Sequence, residues 1–178
     1  ALAHYIAREI EVPLIVRRAS DIISPYVGAT EQHIARMFKQ AGQDGAMLLL
    51  DEADSFLSER QSARNSWEVT AVNEMLTQMD SFDGLFICST NLIQRLDAAS
   101  LRRFALKIKF DYLKPDQRWQ LFLSQAKKLP RSREAGYRSE LNQLSNLTPG
   151  DFATIRRQAK LLDIPLTADE LLKRLQQE

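Results

Sequence analysis

Among 178 residues this chain has one cysteine, two histidines and almost no net charge. The lone Cys88 excludes an internal disulfide and any cysteine-based zinc site, and it fits a reducing, cytoplasmic compartment. His4 and His33 stand apart from each other and from any partner at metal-ligand spacing. A net charge of +1 supplies no global field toward nucleic acid or a membrane surface. No apolar run approaches the roughly 18–20 residues needed to span a bilayer. The opening, Ala1-Leu2-Ala3-His4-Tyr5, has neither the basic n-region of a signal peptide nor an initiator Met, and it starts inside a helical pattern. A fragment of a longer protein is expected. Internal repeats and low-complexity tracts are also missing, as is any Ser/His/Asp or Cys/His constellation.

What is present is a core. Hydrophobic residues make up 44% of the chain, enough for one domain or one domain with a small appendage. The most informative stretch is Met47-Leu48-Leu49-Leu50-Asp51-Glu52-Ala53-Asp54. A short apolar run just after Gly45 reads as a strand buried on both faces, so its carboxylates sit at the exposed C-terminal end. In open α/β sheets that end is where ligands bind. Asp51 would hold a magnesium ion through its water shell, and Glu52 would polarise an attacking water. A plain core strand leading into a helix, whose first turn favours acids, explains the same octet.

Taken in order, residues 1–10 form an amphipathic helix with Leu2, Tyr5, Ile6 and Ile10 on one face, which Pro13 ends. Leu14-Ile15-Val16 predicts a short strand, and residues 24–28 a loop. Thr30 is the expected N-cap of a helix whose apolar face is Ile34, Met37, Phe38 and Ala41. After the strand at 46–51, a short helical turn and a polar loop run to about Ser66. A helix follows over 68–79, with Val69, Val72, Met75, Leu76 and Met79 inward, and then a buried strand from Phe86 ending in Ser89-Thr90-Asn91. The alternation of Leu106, Ile108 and Phe110 with Lys107 and Lys109 predicts a half-exposed edge strand. Beyond Pro115 only helices are expected, near 116–129, 138–146, 150–163 and 167–177. Between the first two lies a basic linker, 130–136, and the cluster of Lys127, Lys128, Arg131 and Arg133 around its start reads as solvated, with partner binding as the alternative. The chain therefore divides into an α/β part, 1–113, and a small helical part, 114–178.

These residues together resemble the AAA branch of the AAA+ ATPases, with motifs in the family order over nearly the whole chain. Residues 1–9 resemble the helix that follows the P-loop. Tyr26-Val27-Gly28 is similar to the first pore loop, and Leu48-Leu49-Leu50-Asp51-Glu52 to Walker B. Residues 72–80 resemble the helix opening the second region of homology, and Ser89-Thr90-Asn91 the sensor-1 strand end. Leu96-Asp97-Ala98-Ala99-Ser100-Leu101-Arg102-Arg103-Phe104 resembles the arginine-finger segment, its Arg-Arg-Phe form being most like spastin and katanin. Thr148-Pro149-Gly150-Asp151-Phe152 sits where the lid's sensor-2 helix begins.

The resemblance implies a three-layer αβα domain of the P-loop type followed by a helical lid. It also implies a ring-forming enzyme, a homo-oligomer of six subunits, that hydrolyses ATP with Mg2+ to remodel or unfold polypeptides. Asp51 and Gly150 would lie at the nucleotide. Glu52 would activate water, Asn91 would orient it or the γ-phosphate, and Arg102 or Arg103 would reach the neighbouring subunit's nucleotide. Tyr26, Val27 and Gly28 would line the pore and grip the substrate. A nucleotide-regulated assembly or scaffold domain that threads nothing is the alternative. Membrane insertion and nucleic-acid binding are not implied. Three departures stand out. No G-x-x-x-x-G-K-[ST] occurs, so this chain alone is expected to bind ATP poorly or not at all, and its sheet to have a gap or pair abnormally. Pro149-Gly150 stands at the sensor-2 arginine position, as is usual in this branch. Thr70 replaces an arginine found in many relatives.

Overall fold

The structure, a computed structural model, describes residues 2–57, 66–96, 98–127 and 129–177. Ala1, Asp97, Lys128 and the polar loop expected over 58–65 lie outside them. Three parallel strands form the sheet: β1 (Leu14–Arg18), β2 (Met47–Asp51) and β3 (Phe86–Cys88), in the order β1-β2-β3. Parallel neighbours need long crossovers. Here α2 (Ala19–Ile22) and α3 (Ala29–Gln43) link β1 to β2, and α4 (Asp54–Leu57) and α5 (Ser66–Ser81) link β2 to β3. Side chains alternate along β2. Leu48 and Leu50 face a core with Ile34, Met37 and Phe38 of α3 and Met75 of α5, while Met47 and Leu49 face Ala3 and Ala7 of α1 (Leu2–Glu9). Both faces of the sheet are covered, which gives the three αβα layers and accounts for an uninterrupted apolar run at β2.

The chain divides into two compact units, Ala1–Lys107 and Ile108–Glu178. Residues 108–113 go with the second unit because Leu113 is anchored there. Its N–H donates to the Leu147 carbonyl at 2.8 Å, and its side chain packs on the helical core. That core joins Trp119 and Phe122 of α7 (Pro115–Gln125), Tyr137 and Leu141 of α8 (Glu134–Gln143), Phe152 and Ile155 of α9 (Pro149–Leu161), and Leu171, Leu172 and Leu175 of α10 (Ala168–Leu175). Residues 131–143, expected in part as a linker, are a short 3-10 turn running into α8. In α10 the Thr167 side chain caps the first turn, accepting from the Glu170 N–H at 3.3 Å.

The edge strand expected over 106–110 is not formed. Leu106, Ile108 and Phe110 are 79%, 64% and 74% exposed, and among the described residues no strand lies on the outer side of β3. An alternating pattern specifies a strand only where a neighbouring strand offers ladder hydrogen bonds. Among the described residues the outer edge of β3 is thus unpaired.

Candidate functional site

The carboxyl ends of β2 and β3 bring one group of residues together. Asp51 ends β2, and the chain then turns through Glu52, which has a left-handed backbone at φ 58°. A non-glycine residue there costs about 1–2 kcal/mol. Ser89, just past β3, holds this turn from the side. Its N–H donates to the Leu50 carbonyl at 3.0 Å, and its carbonyl accepts from the Ala53 N–H at 3.0 Å. Its hydroxyl donates to Asp51 Oδ1 and lies 3.4 Å from the Glu52 N–H. Each well-formed hydrogen bond is worth about 0.5–1.5 kcal/mol net, so the set suffices to offset the strain at Glu52. Next along, the Thr90 hydroxyl donates to Asp54 Oδ1 at the start of α4 and accepts from the Leu92 N–H at 2.9 Å. Asn91 follows, exposed, as does Glu52. Glu52, Asp51 and Asn91 therefore sit on adjacent strand ends. The serine that ties Asp51 to the Glu52 turn, and the threonine that ties its own loop to Asp54, were legible only as strand-end polar residues.

Cys88, directly before Ser89, retains some exposed surface at the sheet edge, yet protein surrounds the sulfur densely. Burial pushes its thiol pKa up, so it stays protonated and offers no nucleophile.

The loop between α2 and α3 presents Tyr26 and Val27 outward, 77% and 89% exposed. Gly28 closes it with φ 81° and is the N-cap of α3. A side chain would be strained there, which explains a glycine where Thr30 was the expected cap. Thr30 instead turns its hydroxyl back onto the loop, accepting from the Ser24 N–H at 3.0 Å. The loop is also closed by the Tyr26 N–H to Ser24 Oγ at 3.3 Å and the Ala29 N–H to the Tyr26 carbonyl at 3.2 Å. From α3 the Glu31 carboxylate accepts the Thr70 hydroxyl of α5 at 2.6 Å, so Thr70 fills the arginine position with a contact inside its own chain.

The two arginines lie on α6 (Ala98–Arg103), a helix with too few residues to show a periodic pattern in the sequence. They differ in environment. Arg103 Nε pairs with Asp80 of α5 at 2.8 Å, and its Nη1 donates to the Ala99 carbonyl at 3.0 Å. Arg102 is exposed and makes no hydrogen bond or ion pair to a described residue. In the helical unit Gly150 occupies the first turn of α9, after Thr148 and Pro149. A Cβ on Gly150 would come within 3.2 Å of Thr148 Oγ1, which is engaged with Asp151 in the capping box.

A cavity of about 560 Å³ opens at the opposite, amino-terminal end of the strands, lined by Ile10, Val12, Phe38, Met47, Phe82 and Leu85 among others. None of the site residues lines it.

Comparison with known proteins bears on this geometry. The family model described as "ATPase family associated with various cellular activities (AAA)" matches residues 1–112. The chain belongs to the AAA ATPase family. Over 175 residues it is 31% identical to ATP-dependent zinc metalloprotease FtsH 2 of Sorangium cellulosum, covering 90% of this chain and 28% of that protein. It is 29% identical over 175 residues to spastin of Drosophila erecta, covering 90% of this chain and 22% of spastin. The chain thus spans under a third of the length of these relatives. A solved structure, the HORMA:CdnC:Trip13 complex of E. coli MS115-1, superposes with a TM-score of 0.74 at 18% identity, over 98% of this chain and 66% of that one. At that identity the likeness speaks for the fold. No helix among the described residues of this AAA chain is long and apolar enough to cross a membrane.

Proposed function

We propose that this AAA chain is the part of a ring-forming ATPase that supplies Asp51, Glu52 and Asn91 to its own nucleotide and an arginine to the neighbouring subunit's, and that hydrolysis drives remodelling of polypeptides. The observation that carries the reading is the tie Ser89 makes between the Asp51 carboxylate and the Glu52 turn at the carboxyl end of β2, with Asn91 following just past the neighbouring end of β3, where ligands meet open α/β sheets. Glu52 is an exposed carboxylate held in a fixed turn, the placement a water-polarising base needs. Asn91 both donates and accepts through one neutral amide, which suits orienting a water or a phosphate oxygen.

The residues fit magnesium. Mg2+ keeps much of its water shell and is held by one or two carboxylates together with substrate phosphates. Asp51 offers one carboxylate whose second oxygen has no hydrogen bond to a described residue, and among the described residues no cluster of three or more His, Cys, Asp or Glu encloses a metal. Bound with ATP, the ion would neutralise phosphate charge. No phosphate-cradling G-x-x-x-x-G-K-[ST] is in the sequence, so nucleotide binding is proposed for the full-length protein. Tyr26 and Val27, held outward by a braced loop, support a polypeptide-gripping role over a scaffold that threads nothing, because an aromatic ring contacts any sequence at low entropic cost. A hexameric ring and a cytoplasmic setting belong to the same proposal.

Glu52→Gln in the full-length protein tests it. The amide keeps size and hydrogen bonding but removes the base, so ATP should bind while hydrolysis falls by at least about 100-fold. Turnover at the wild-type rate would remove Glu52 from the mechanism and the proposal with it.

A further inference from the structure

Ser89 touches each of the four successive residues at the end of β2. Its N–H reaches the Leu50 carbonyl, its hydroxyl reaches the Asp51 carboxylate and the Glu52 N–H, and its carbonyl receives the Ala53 N–H. Among the described residues no other side chain bonds both Asp51 and Glu52. The backbone contacts need no particular side chain, but the two made by the hydroxyl do. An alanine would leave Asp51 Oδ1 without its donor and the Glu52 N–H without its acceptor, at the one turn in the site where a non-glycine residue is left-handed.

The geometry points to Ser89 as the positioning residue of the hydrolytic site. Its hydroxyl fixes which oxygen of Asp51 faces the metal's water shell, and it holds the strained turn that aims Glu52. This deepens the proposed function and rests on it. The hydroxyl acts through Asp51 and Glu52 and exchanges no proton with substrate. Thr90 is the parallel tie one residue on, joining the Asn91 loop to Asp54 and so to α4. Ser89 is the sharper case, since it contacts both acids to which the mechanism assigns work.

The experiment compares Ser89→Ala, Ser89→Thr and Glu52→Gln in the full-length protein. Three readouts are taken: steady-state hydrolysis, calorimetric ADP binding across a magnesium titration, and thermal melting. Loss of a residue that orients a metal-side ligand typically lowers metal affinity or activity about 10-fold to 100-fold. Ser89→Ala is expected to lower kcat in that range while KM for ATP stays within about twofold, and to shift the magnesium dependence of ADP binding to higher concentration by a similar factor. Ser89→Thr keeps the hydroxyl and should restore both. A merely structural serine would change the melting temperature without splitting kcat from KM or moving the magnesium titration. Wild-type kcat and magnesium dependence in Ser89→Ala, with Glu52→Gln inactive, would overturn the positioning role and leave the proposed function standing. Equal impairment of the alanine and threonine variants would overturn it as well, since the hydroxyl would then not be the active feature. Wild-type turnover in Glu52→Gln would overturn the proposed function itself.

Discussion

At the scale of single residues, the two arginines of α6 are the most separable pair. A group that completes another subunit's site must be able to leave its own chain. Arg103 is already engaged by Asp80 and the Ala99 carbonyl, whereas Arg102 is exposed with no bond to a described residue. The Arg103–Asp80 pair is half in solvent and contributes about 0–1 kcal/mol. It therefore orients α6 against α5 more than it stabilises the fold. An arginine finger, by contrast, is worth on the order of 10³–10⁵ in rate. Arg102→Ala should accordingly lower single-turnover hydrolysis by roughly 10³ or more with nucleotide affinity retained, while Arg103→Ala should cost about fivefold or less. Single-turnover rates at saturating ATP decide between them, and the reverse ranking would make Arg103 the finger. The sequence showed two adjacent arginines and left this choice open, because it cannot show that Asp80 is spatially next to one of them.

Among the elements, those with a full set of burial partners were the legible ones. The octet at 47–54 reads as a strand because both faces of β2 are covered, and α3 reads as a helix because Ile34, Met37, Phe38 and Ala41 fall on one buried face. The elements that escaped prediction, α2 and α6, are four and six residues long, below two helical turns, and owe their form to what they pack on. Residues 106–110 fail for the opposite reason: the local pattern is strong and no strand meets it. The same contrast fixes how substitutions should act. In this chain Ile108→Lys should change unfolding free energy by no more than about 0.5 kcal/mol, as surface substitutions do. Leu50→Ala, which empties a fully buried position of β2, should cost about 2–5 kcal/mol. Urea denaturation of the two variants beside wild type measures both. A loss of several kcal/mol in Ile108→Lys would mean that the segment is paired in solution. The strand-end site is legible to a similar degree: Asp51, Glu52 and Asn91 stand out by type and by their place after apolar runs. The linking hydroxyl of Ser89 and the left-handed turn at Glu52 arise from tertiary contact and leave no periodic trace.

For the whole molecule, the question is whether one subunit holds a complete site. Asp51 ends β2, Glu52 follows it and Asn91 lies just past β3, while the Arg102 side chain, exposed on α6, makes no bond to a described residue. If Arg102 serves a neighbour, the full-length protein hydrolyses ATP only where two subunits meet, and its rate per subunit follows the fraction assembled. Specific activity should then rise steeply with protein concentration below the assembly constant and level off above it. Adding an excess of Arg102→Ala subunits should depress the rate of wild-type subunits placed beside them. Sizing at each concentration separates the two ways a flat profile can arise. A flat profile with rings present throughout keeps the shared site, and the Arg102→Ala mixing then carries the test. A flat profile with monomers throughout would mean that a single subunit supplies every group it needs, and the ring would have no part in hydrolysis. The finger's rate factor corresponds to roughly 4–7 kcal/mol of barrier, far beyond any surface contact, so shared and self-sufficient sites differ by orders of magnitude in rate.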